Sequence, residues 1–465
     1  MARVTRGSHR GALDPIKLSQ PLGATLAYLG LARAMPLLHG SQGCSAAAKS
    51  LLTRHFREPI PLQSSAVTEV AAVLGSGTNL RTAVTTVAER TDAEIIGVAT
   101  TGLVEITGDD LQSLVDLPED DDGPLVIAAS TPDFEAGLSR GWASAVEAIV
   151  AAGLRSARTR TAAASGAWSE RILPVLTGVS LTAADLDEIG DVVRSFGLRP
   201  LLVPDLSGSL DGHLEDGWQP LTTGGTSRDE LALLAGAQAA QAVGVTAAAG
   251  ADRLAEAGTE VIRHPHLAGL AAVDAFVDAL RRSSGLPVPA RVRRDRARFT
   301  DTLLDAHFIL DGARIAVAGE PELVAAVTTL VASAGARVVA AAAPTDDPVL
   351  ADLPCPEVVL GDLTDLHERA ADGGAELVIG NGHTRAVADQ LGAVHLPLGL
   401  PVPDRLGVAL AAVTGYRGGQ RFLTEVANRL LEHGEAGHCA VPGPRTGPVR
   451  RAGSTDHDTT EEMPC

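Results

Sequence analysis

The chain has 465 residues, of which 45% are apolar and only 3% aromatic, and its formal net charge is −19. This length fits two or three domains, and the excess negative charge argues against nucleic acid or an anionic membrane as a partner. No apolar run approaches the ~20 residues of a membrane span, and the amino terminus lacks the apolar core of a signal peptide. The four cysteines do not suggest a disulfide framework, so we expect a cytoplasmic protein with reduced thiols.

From about residue 92 onward, short apolar runs alternate with amphipathic stretches. The apolar runs predict buried strands at Ile95–Ala99, Leu125–Ala129, Ile172–Leu176, Leu201–Val203, Arg314–Val317, Val338–Ala341, Val358–Leu360, Leu377–Ile379 and Val394–Leu396. Helices are predicted between them, at Asp185–Phe196, Glu230–Val243, Leu270–Arg282 and Glu322–Ala334. Such alternation is typical of βαβ units, so we predict three doubly wound, Rossmann-like αβα domains with parallel sheets.

Changes of composition along the chain predict the domain boundaries. The terminal residues 1–14 and 434–465 are expected to be disordered, because the carboxyl-terminal stretch loses all apolar periodicity. A small-residue stretch and a later Pro- and Gly-rich stretch are the predicted links between domains. The three α/β domains are therefore predicted at residues 15–168, 169–295 and 296–433.

Two glycine-rich segments raise the alternative of a nucleotide-dependent enzyme of Rossmann type. Residues 317–323 (VAGEPEL) lack the three-glycine dinucleotide fingerprint, and residues 75–80 (GSGTNL) follow no predicted strand. We therefore interpret both as strand-to-helix turns. His264, His266 and His383 have no second Cys/His pair at zinc spacing, and we interpret them as loop or polar-rim histidines.

Cys44 is the most informative candidate for a functional residue. It follows Gly40 and Gly43 and precedes a run of small helix-forming residues. If a helix begins here, the amides of its first turn stabilise a thiolate, which is the form that binds metal. The competing interpretation is a small buried cysteine that acts as an apolar residue.

Four motifs resemble the nitrogenase component 1 family. They are HGSQGC (39–44), TTGLVEITGDD (100–110), TGGTS (223–227) and IGNGHTR (379–385). The resemblance extends over nearly the whole chain, to about residue 433. It is strongest to the β-type subunits, and among these to the N-type subunit of the scaffold that matures the iron–molybdenum cofactor. It implies an α2β2-like heterotetramer with a homologous E-type subunit (NifE).

The departures from the family pattern separate two kinds of β-type subunit. Catalytic β subunits of the family bind an eight-iron P-cluster through three cysteines, of which the first falls on Cys44. The second falls on Leu62 and the third on Gly102, so two ligands are missing here. The resemblance therefore implies the assembly scaffold, in which one N-type cysteine and three E-type cysteines hold a [4Fe–4S] cluster. A catalytic nitrogenase β subunit is the closer alternative.

The count of thiols agrees with an intersubunit cluster. A [4Fe–4S] cubane generally needs four protein thiolates. Cys439 and Cys465 lie in the predicted tail, and Cys355 lies in a turn far along the chain. Cys44, in a loop supported by Gly40 and Gly43, is therefore the predicted iron ligand of this chain.

The resemblance also implies the other members of the pathway. A radical-SAM protein (NifB) would supply an iron–sulfur precursor, which the complex holds transiently, and the nitrogenase iron protein (NifH) would dock on the complex. The chain is then a subunit of an assembly scaffold and not an independent enzyme, and we predict no catalytic residues.

Overall fold

The computed structural model describes residues 1–8, 15–107, 123–134, 136–160, 171–214, 217 and 219–437. These residues form parallel sheets flanked by helices, which confirms the predicted α/β class. No helix in these ranges is long and apolar enough to cross a membrane. Residues 9–14 and 438–465, predicted to be disordered, lie outside the described residues.

Fourteen strands are present in the described residues: β1 (Arg3–Arg6), β2 (Ala34–His39), β3 (Gln63–Ser64), β4 (Ile95–Thr100), β5 (Leu125–Ala129), β6 (Ile172–Thr177), β7 (Arg199–Val203), β8 (Ala239–Val243), β9 (Glu260–His264), β10 (Arg314–Ala318), β11 (Arg337–Ala343), β12 (Glu357–Leu360), β13 (Leu377–Gly380) and β14 (Val394–Pro397).

Fifteen α-helices lie in the same part of the chain: α1 (Gln20–Leu29), α2 (Gln42–Phe56), α3 (Glu69–Leu74), α4 (Gly77–Arg90), α5 (Gly102–Thr107), α6 (Leu138–Arg160), α7 (Ala183–Ser195), α8 (Arg228–Ala232), α9 (Ala248–Glu256), α10 (Leu270–Ser284), α11 (Ala290–Leu310), α12 (Pro321–Ser333), α13 (Leu363–Gly373), α14 (Arg385–Leu391) and α15 (Gly415–Gly437).

The strands form three sheets in which every pairing is parallel. Their orders are β3–β2–β4–β5 in the first, β7–β6–β8–β9 in the second and β1–β12–β11–β10–β13–β14 in the third. The strand order reverses between β2 and β4 in the first sheet, between β6 and β8 in the second and between β10 and β13 in the third, where β1 is added at the edge beside β12. In open α/β sheets, ligands bind outside the carboxyl ends of the strands at such a switch point. The topology therefore predicts three candidate ligand sites, one at each switch point.

One predicted helix is wrong. The stretch Glu230–Val243 was predicted to be helical throughout, because its alanines and leucines favour helix. The structure instead has α8, a short 3-10 turn at Leu233–Gly236, and strand β8. β8 pairs with β6 on one side and β9 on the other, and its last four residues are buried. Burial between two strands overrides the intrinsic preference of an Ala-rich segment.

The amino terminus also differs from the prediction of disorder. Arg3–Arg6 form β1, which pairs in parallel with β12 at the edge of the third sheet. At the other end of the chain, α15 continues to Gly437 and passes the predicted boundary at residue 434. Short termini with few apolar residues carry little sequence signal, so their docking depends on strands elsewhere in the chain.

Strand β2, which leads to Cys44, was not predicted. Its sequence contains Pro36, and proline has no amide hydrogen to donate to a neighbouring strand. β3 pairs only with Leu37 and Leu38, so Pro36 lies beyond the ladder on that side. The proline is therefore compatible with a strand that has neighbours on both sides.

Candidate functional site

Cys44 lies on α2, directly after the switch point of the first sheet. β2 ends at His39, Gly40 and Ser41 form the turn, and α2 begins at Gln42. Cys44 is thus the third residue of the helix, and its side chain is exposed. Its Sγ lies 3.4 Å from Ser41 Oγ. The exposure excludes the interpretation of Cys44 as a buried apolar residue.

A buried histidine holds the turn that precedes Cys44. His39 Nδ1 lies 2.8 Å from Ser65 Oγ, and its Nε2 lies 3.1 Å from Ser76 Oγ. Ser65 Oγ also accepts a hydrogen bond of 3.1 Å from the Gly40 amide. The turn is therefore tied to the segment after β3 and to the start of α4. Sequence analysis missed both serines, because neither stands near Cys44 in the chain.

Gly40 and Gly43 have different structural roles. A Cβ atom on Gly40 would lie 2.3 Å from Thr101 Oγ1, where the turn after β2 contacts the turn after β4. A Cβ atom on Gly43 would come no nearer than 4.0 Å to Ser41 Oγ. Close packing therefore requires glycine at position 40, and nothing in the described part of this chain requires it at position 43.

The carboxyl end of α2 is anchored on the third domain. The Val402 amide donates a hydrogen bond of 3.0 Å to His55 Nδ1, and Arg57 Nη2 donates one of 2.8 Å to the Pro403 carbonyl. Burial lowers the pKa of His55 to about 4, so the ring is neutral and its Nδ1 can accept the hydrogen bond. The helix that presents Cys44 is therefore held at both ends.

The two positions where the family's catalytic subunits have further cysteines contain no ligand. Leu62 is 6% exposed and packs in the main hydrophobic core just before β3. Gly102 is the first residue of α5. The described residues contain no group of three or more His, Cys, Asp and Glu side chains that could hold a metal ion.

The other cysteines do not join Cys44. Cys355 is buried next to β12 in the third sheet, where its thiol donates a hydrogen bond of 3.6 Å to the Glu357 carbonyl. Burial raises the pKa of this thiol to about 11, which disfavours the thiolate. Cys439 and Cys465 lie outside the described residues. Among the described residues, Cys44 is thus a single exposed thiol, which fits a metal cluster whose remaining ligands come from elsewhere.

An exposed apolar surface, which we call the apolar rim, lies beside the turn before Cys44. It comprises Val70, Val73, Leu74, Leu103, Ile106 and Phe134. Val73 is 83% exposed and Ile106 is 77% exposed. Large exposed apolar patches usually mark an interaction surface. Sequence analysis did not identify it, because α3 and α5 are too short to show a clear periodicity.

The contacts around Gly40 connect the apolar rim with Cys44. The Gly40 carbonyl accepts a hydrogen bond of 2.9 Å from the Val67 amide, just before α3. The His39 carbonyl accepts one of 3.0 Å from the Thr101 amide, just before α5. Helices α3 and α5 also contact each other. The turn that carries the thiol therefore adjoins the segments that begin both helices of the rim.

The glycine-rich segments and the histidines have structural roles. Gly319 lies in the turn between β10 and α12, as predicted. Residues 75–80 instead connect α3 to the first turn of α4, so the prediction of a strand-to-helix turn is wrong there. His264 is the last residue of β9 rather than a loop residue, and one ring nitrogen lies 2.9 Å from Gln241 Oε1.

Comparisons with known proteins agree with this description. The model of the family "Nitrogenase component 1 type Oxidoreductase" matches residues 19–431. Two similar proteins are named "Nitrogenase iron-molybdenum cofactor biosynthesis protein NifN". The one from Rippkaea orientalis is 41% identical over 443 residues, with 92% of this chain and 95% of that protein covered. The one from Rhodobacter capsulatus is 39% identical over 440 residues, with 92% and 94% covered.

A solved structure has the same fold. It is named "Nitrogenase Cp1 at pH 6.5", and it superposes with a TM-score of 0.84 at 29% sequence identity. The superposition covers 96% of this chain and 98% of the other. Sequence and fold therefore agree over almost the full length, and the chain belongs to the nitrogenase component 1 type oxidoreductase family.

Proposed function

We propose that this chain is the N-type subunit of the scaffold on which the nitrogenase iron–molybdenum cofactor is assembled before its transfer to apo-nitrogenase. In this role Cys44 supplies one ligand of a [4Fe–4S] cluster shared with the homologous E-type subunit (NifE). The observation that carries the proposal is the exposed thiol of Cys44, which is the single exposed one in the described part of the chain and lies at the start of a fixed helix beside an exposed apolar surface. The names of the similar proteins support it.

The ligand count supports a cluster shared between two chains. A cubane generally needs four protein thiolates, and the described residues offer one exposed thiol and no metal-binding group of three or more side chains. The partner would then supply three ligands. The apolar rim gives this partner a surface to cover, and covering it would shield the cluster from water.

Positions 62 and 102 favour the scaffold over the catalytic β subunit. Leu62 and Gly102 leave this chain without two of the three thiolates that its half of a P-cluster would need. Leu62 lies in the core and Gly102 opens a helix, so neither position presents a thiol. The chain would thus contribute to assembly without catalysing nitrogen reduction.

The proposed complex is an α2β2-like heterotetramer. It would receive an iron–sulfur precursor from the radical-SAM protein (NifB) and would dock the nitrogenase iron protein (NifH) during maturation. The nucleotide-dependent enzyme is less well supported, because the turn after β10 lacks the three-glycine dinucleotide fingerprint. Equilibrium binding of radiolabelled nucleotides to the isolated chain tests this alternative, and micromolar affinity would favour the enzyme.

Iron and acid-labile sulfide assays test the proposal directly. We expect the chain purified alone to hold no stable cluster, because it lacks three of the four ligands. The chain purified with its partner should hold about one [4Fe–4S] cluster per heterodimer, by the four-ligand count. A stoichiometric cluster on the isolated chain would overturn the proposal.

Substitution of Cys44 by alanine tests the ligand itself. Cys44→Ala removes an exposed side chain, so the free energy of unfolding should change by about 1 kcal/mol or less. Electron paramagnetic resonance of the reduced complex should show the cluster signal weakened, altered or lost. Ser50→Ala, an exposed position on the same helix, is the matched control and should retain the wild-type spectrum. An unchanged spectrum in Cys44→Ala would show that Cys44 is not a ligand.

A further inference from the structure

We propose that the switch point of the second sheet is a carboxylate-binding site, and that Glu322 of the third domain is its resident ligand. The site, which we call the carboxylate seat, consists of residues 178–180 after β6 and residues 244–246 after β8. It is separate from the cluster site and has a different role, which is to couple two domains.

Two chain segments of the same pattern form the seat. β6 is followed by Gly178-Val179-Ser180, and β8 by a Gly-Val-Thr sequence ending at Thr246. The Ser180 amide donates a hydrogen bond of 2.7 Å to Glu322 Oε1. The Thr246 amide and hydroxyl donate to Glu322 Oε2 at 3.2 and 3.0 Å. Both oxygens of the carboxylate are thus bound by donors from neighbouring strands.

The hydroxyl of Thr246 is oriented for this purpose. Its Oγ1 accepts a hydrogen bond of 3.0 Å from the Val179 amide, so its own proton is available for Glu322 Oε2. Glu322 is 3% exposed. Burial raises the pKa of its carboxyl group, while the donors of Ser180 and Thr246 act in the opposite direction. All three donors point at the oxygens, which is the arrangement that an ionised carboxylate requires.

The glycines of the seat make room for the ligand. A Cβ atom on Gly178 would lie 2.7 Å from Glu322 Oε1, and one on Gly244 would lie 2.8 Å from Oε2. Any side chain at either position would therefore displace the carboxylate. Glycine-rich turns at the carboxyl ends of parallel strands commonly bind anionic groups through backbone amides. Here the anion is supplied by the chain itself.

Glu322 lies on a short segment of the third domain whose backbone is restricted by a proline. Pro321 is the first residue of α12 and restricts the backbone next to Glu322. Two residues before Glu322, Glu320 accepts a hydrogen bond from Ser139 of α6 in the first domain. The turn after β10 therefore contacts both other domains through carboxylates, and Glu322 fixes the second domain against the third.

Removal of the tethered carboxylate should leave a site that a small free carboxylate can fill. In the full-length Glu322→Ala variant we expect the thermal unfolding midpoint to fall by several degrees. Acetate should restore part of this loss in a saturable way, whereas sodium chloride at equal ionic strength should not. The wild-type protein should show no specific response to acetate, because its seat is occupied.

Glu322→Gln is the matched second variant. The amide preserves the size of the side chain but places an NH2 group against amide donors, so the midpoint should fall without any response to acetate. A wild-type midpoint in Glu322→Gln would overturn the proposal, and this holds even if Glu322→Ala does not fold. Equal acetate responses in the Ala variant, the Gln variant and the wild type, or no response in a folded Ala variant, would also overturn it.

Discussion

The switch points of the first and second sheets have the same topology, but the second is filled by a buried side chain and the first is exposed. After β6 and β8, backbone donors converge on Glu322, which the third domain supplies and which is almost fully buried. After β2 and β4, the chain leads to an exposed thiol and an exposed apolar rim. The comparison shows that topology marks the places where ligands can bind, whereas the rest of the chain decides which of them is already filled.

The difference has a simple structural origin. The third domain reaches the second sheet through its helix α12, and this contact closes the carboxylate seat. It contacts the first domain through Glu320, which accepts a hydrogen bond from Ser139, and through the far end of α2, where His55 and Arg57 are bound. The start of α2 is therefore fixed in position, and the described residues leave Cys44 exposed. A partner chain would be needed there to do what Glu322 does in the second sheet.

The introduction of charge on the apolar rim should have the largest effect of the substitutions that test this difference between the two switch points. The double variant Val73→Asp and Ile106→Asp places two carboxylates on a surface that we expect the partner subunit to cover. Complex formation, measured by co-purification and size-exclusion chromatography, should be lost. The isolated chain should keep its free energy of unfolding within about 0.5 kcal/mol, because both positions are exposed.

Phe308→Asp is the control for the apolar rim. Phe308 is 87% exposed on α11, which is not one of the elements of the apolar rim. This variant should form the complex with the E-type subunit as the wild type does. If the rim variant forms the complex as well as the Phe308→Asp variant does, the apolar rim is not the interface.

Acidification should loosen the anchored end of α2. Burial holds the pKa of His55 at about 4, below its ordinary value of 6.5, so between these values the unfolded chain binds a proton that the folded chain does not. Stability therefore falls as the pH decreases through this window, and the contribution of His55 to the loss is about 3 kcal/mol. Chemical denaturation at a series of pH values measures this slope.

Two substitutions isolate the part of the slope that belongs to His55. His55→Asn retains an acceptor for the Val402 amide but does not titrate, so stability should depend less on pH than in the wild type. His433→Asn changes an exposed histidine and should leave the slope unaltered. A wild-type slope in His55→Asn would show that the anchor is not the titrating group.

Gly40→Ala should weaken the turn before the thiol. The added methyl group would collide with Thr101 Oγ1, which belongs to the neighbouring turn, so the two turns must move apart. We expect a loss of about 1–3 kcal/mol in the free energy of unfolding and a lower cluster content in the complex. Unchanged stability would mean that the contact between the turns is not tight.

Gly43→Ala should have the smallest effect and the opposite sign. The new methyl group would come no nearer than 4.0 Å to Ser41 Oγ, and alanine favours helix over glycine. The isolated chain should gain about 0.5 kcal/mol, measured by chemical denaturation. A loss of stability would contradict the described geometry. A gain accompanied by weaker complex formation would indicate that the partner approaches the helix closely at this residue.

Much of the molecule could be predicted from the sequence, because its signals are local. Short apolar runs between amphipathic stretches indicate parallel strands, and nine such runs coincide with strands of the structure. HGSQGC indicates the family by residue identity alone, and the family model confirms it, whereas the interpretation of Leu62 and Gly102 stays a prediction. Cys44 followed by small helix-forming residues is visible without any tertiary contact, and the family resemblance makes it the predicted iron ligand.

Other features depend on contacts between distant segments and only the tertiary structure could decide them. The Ala-rich stretch at 239–243 is a strand because β6 and β9 bury it on both sides, although its composition favours helix. Glu322 is far from Ser180 and Thr246 in the chain, so the carboxylate seat has no local pattern. The apolar rim consists of residues from two short helices and one loop. Their exposure depends on how the other described residues pack, so it cannot be read from the sequence.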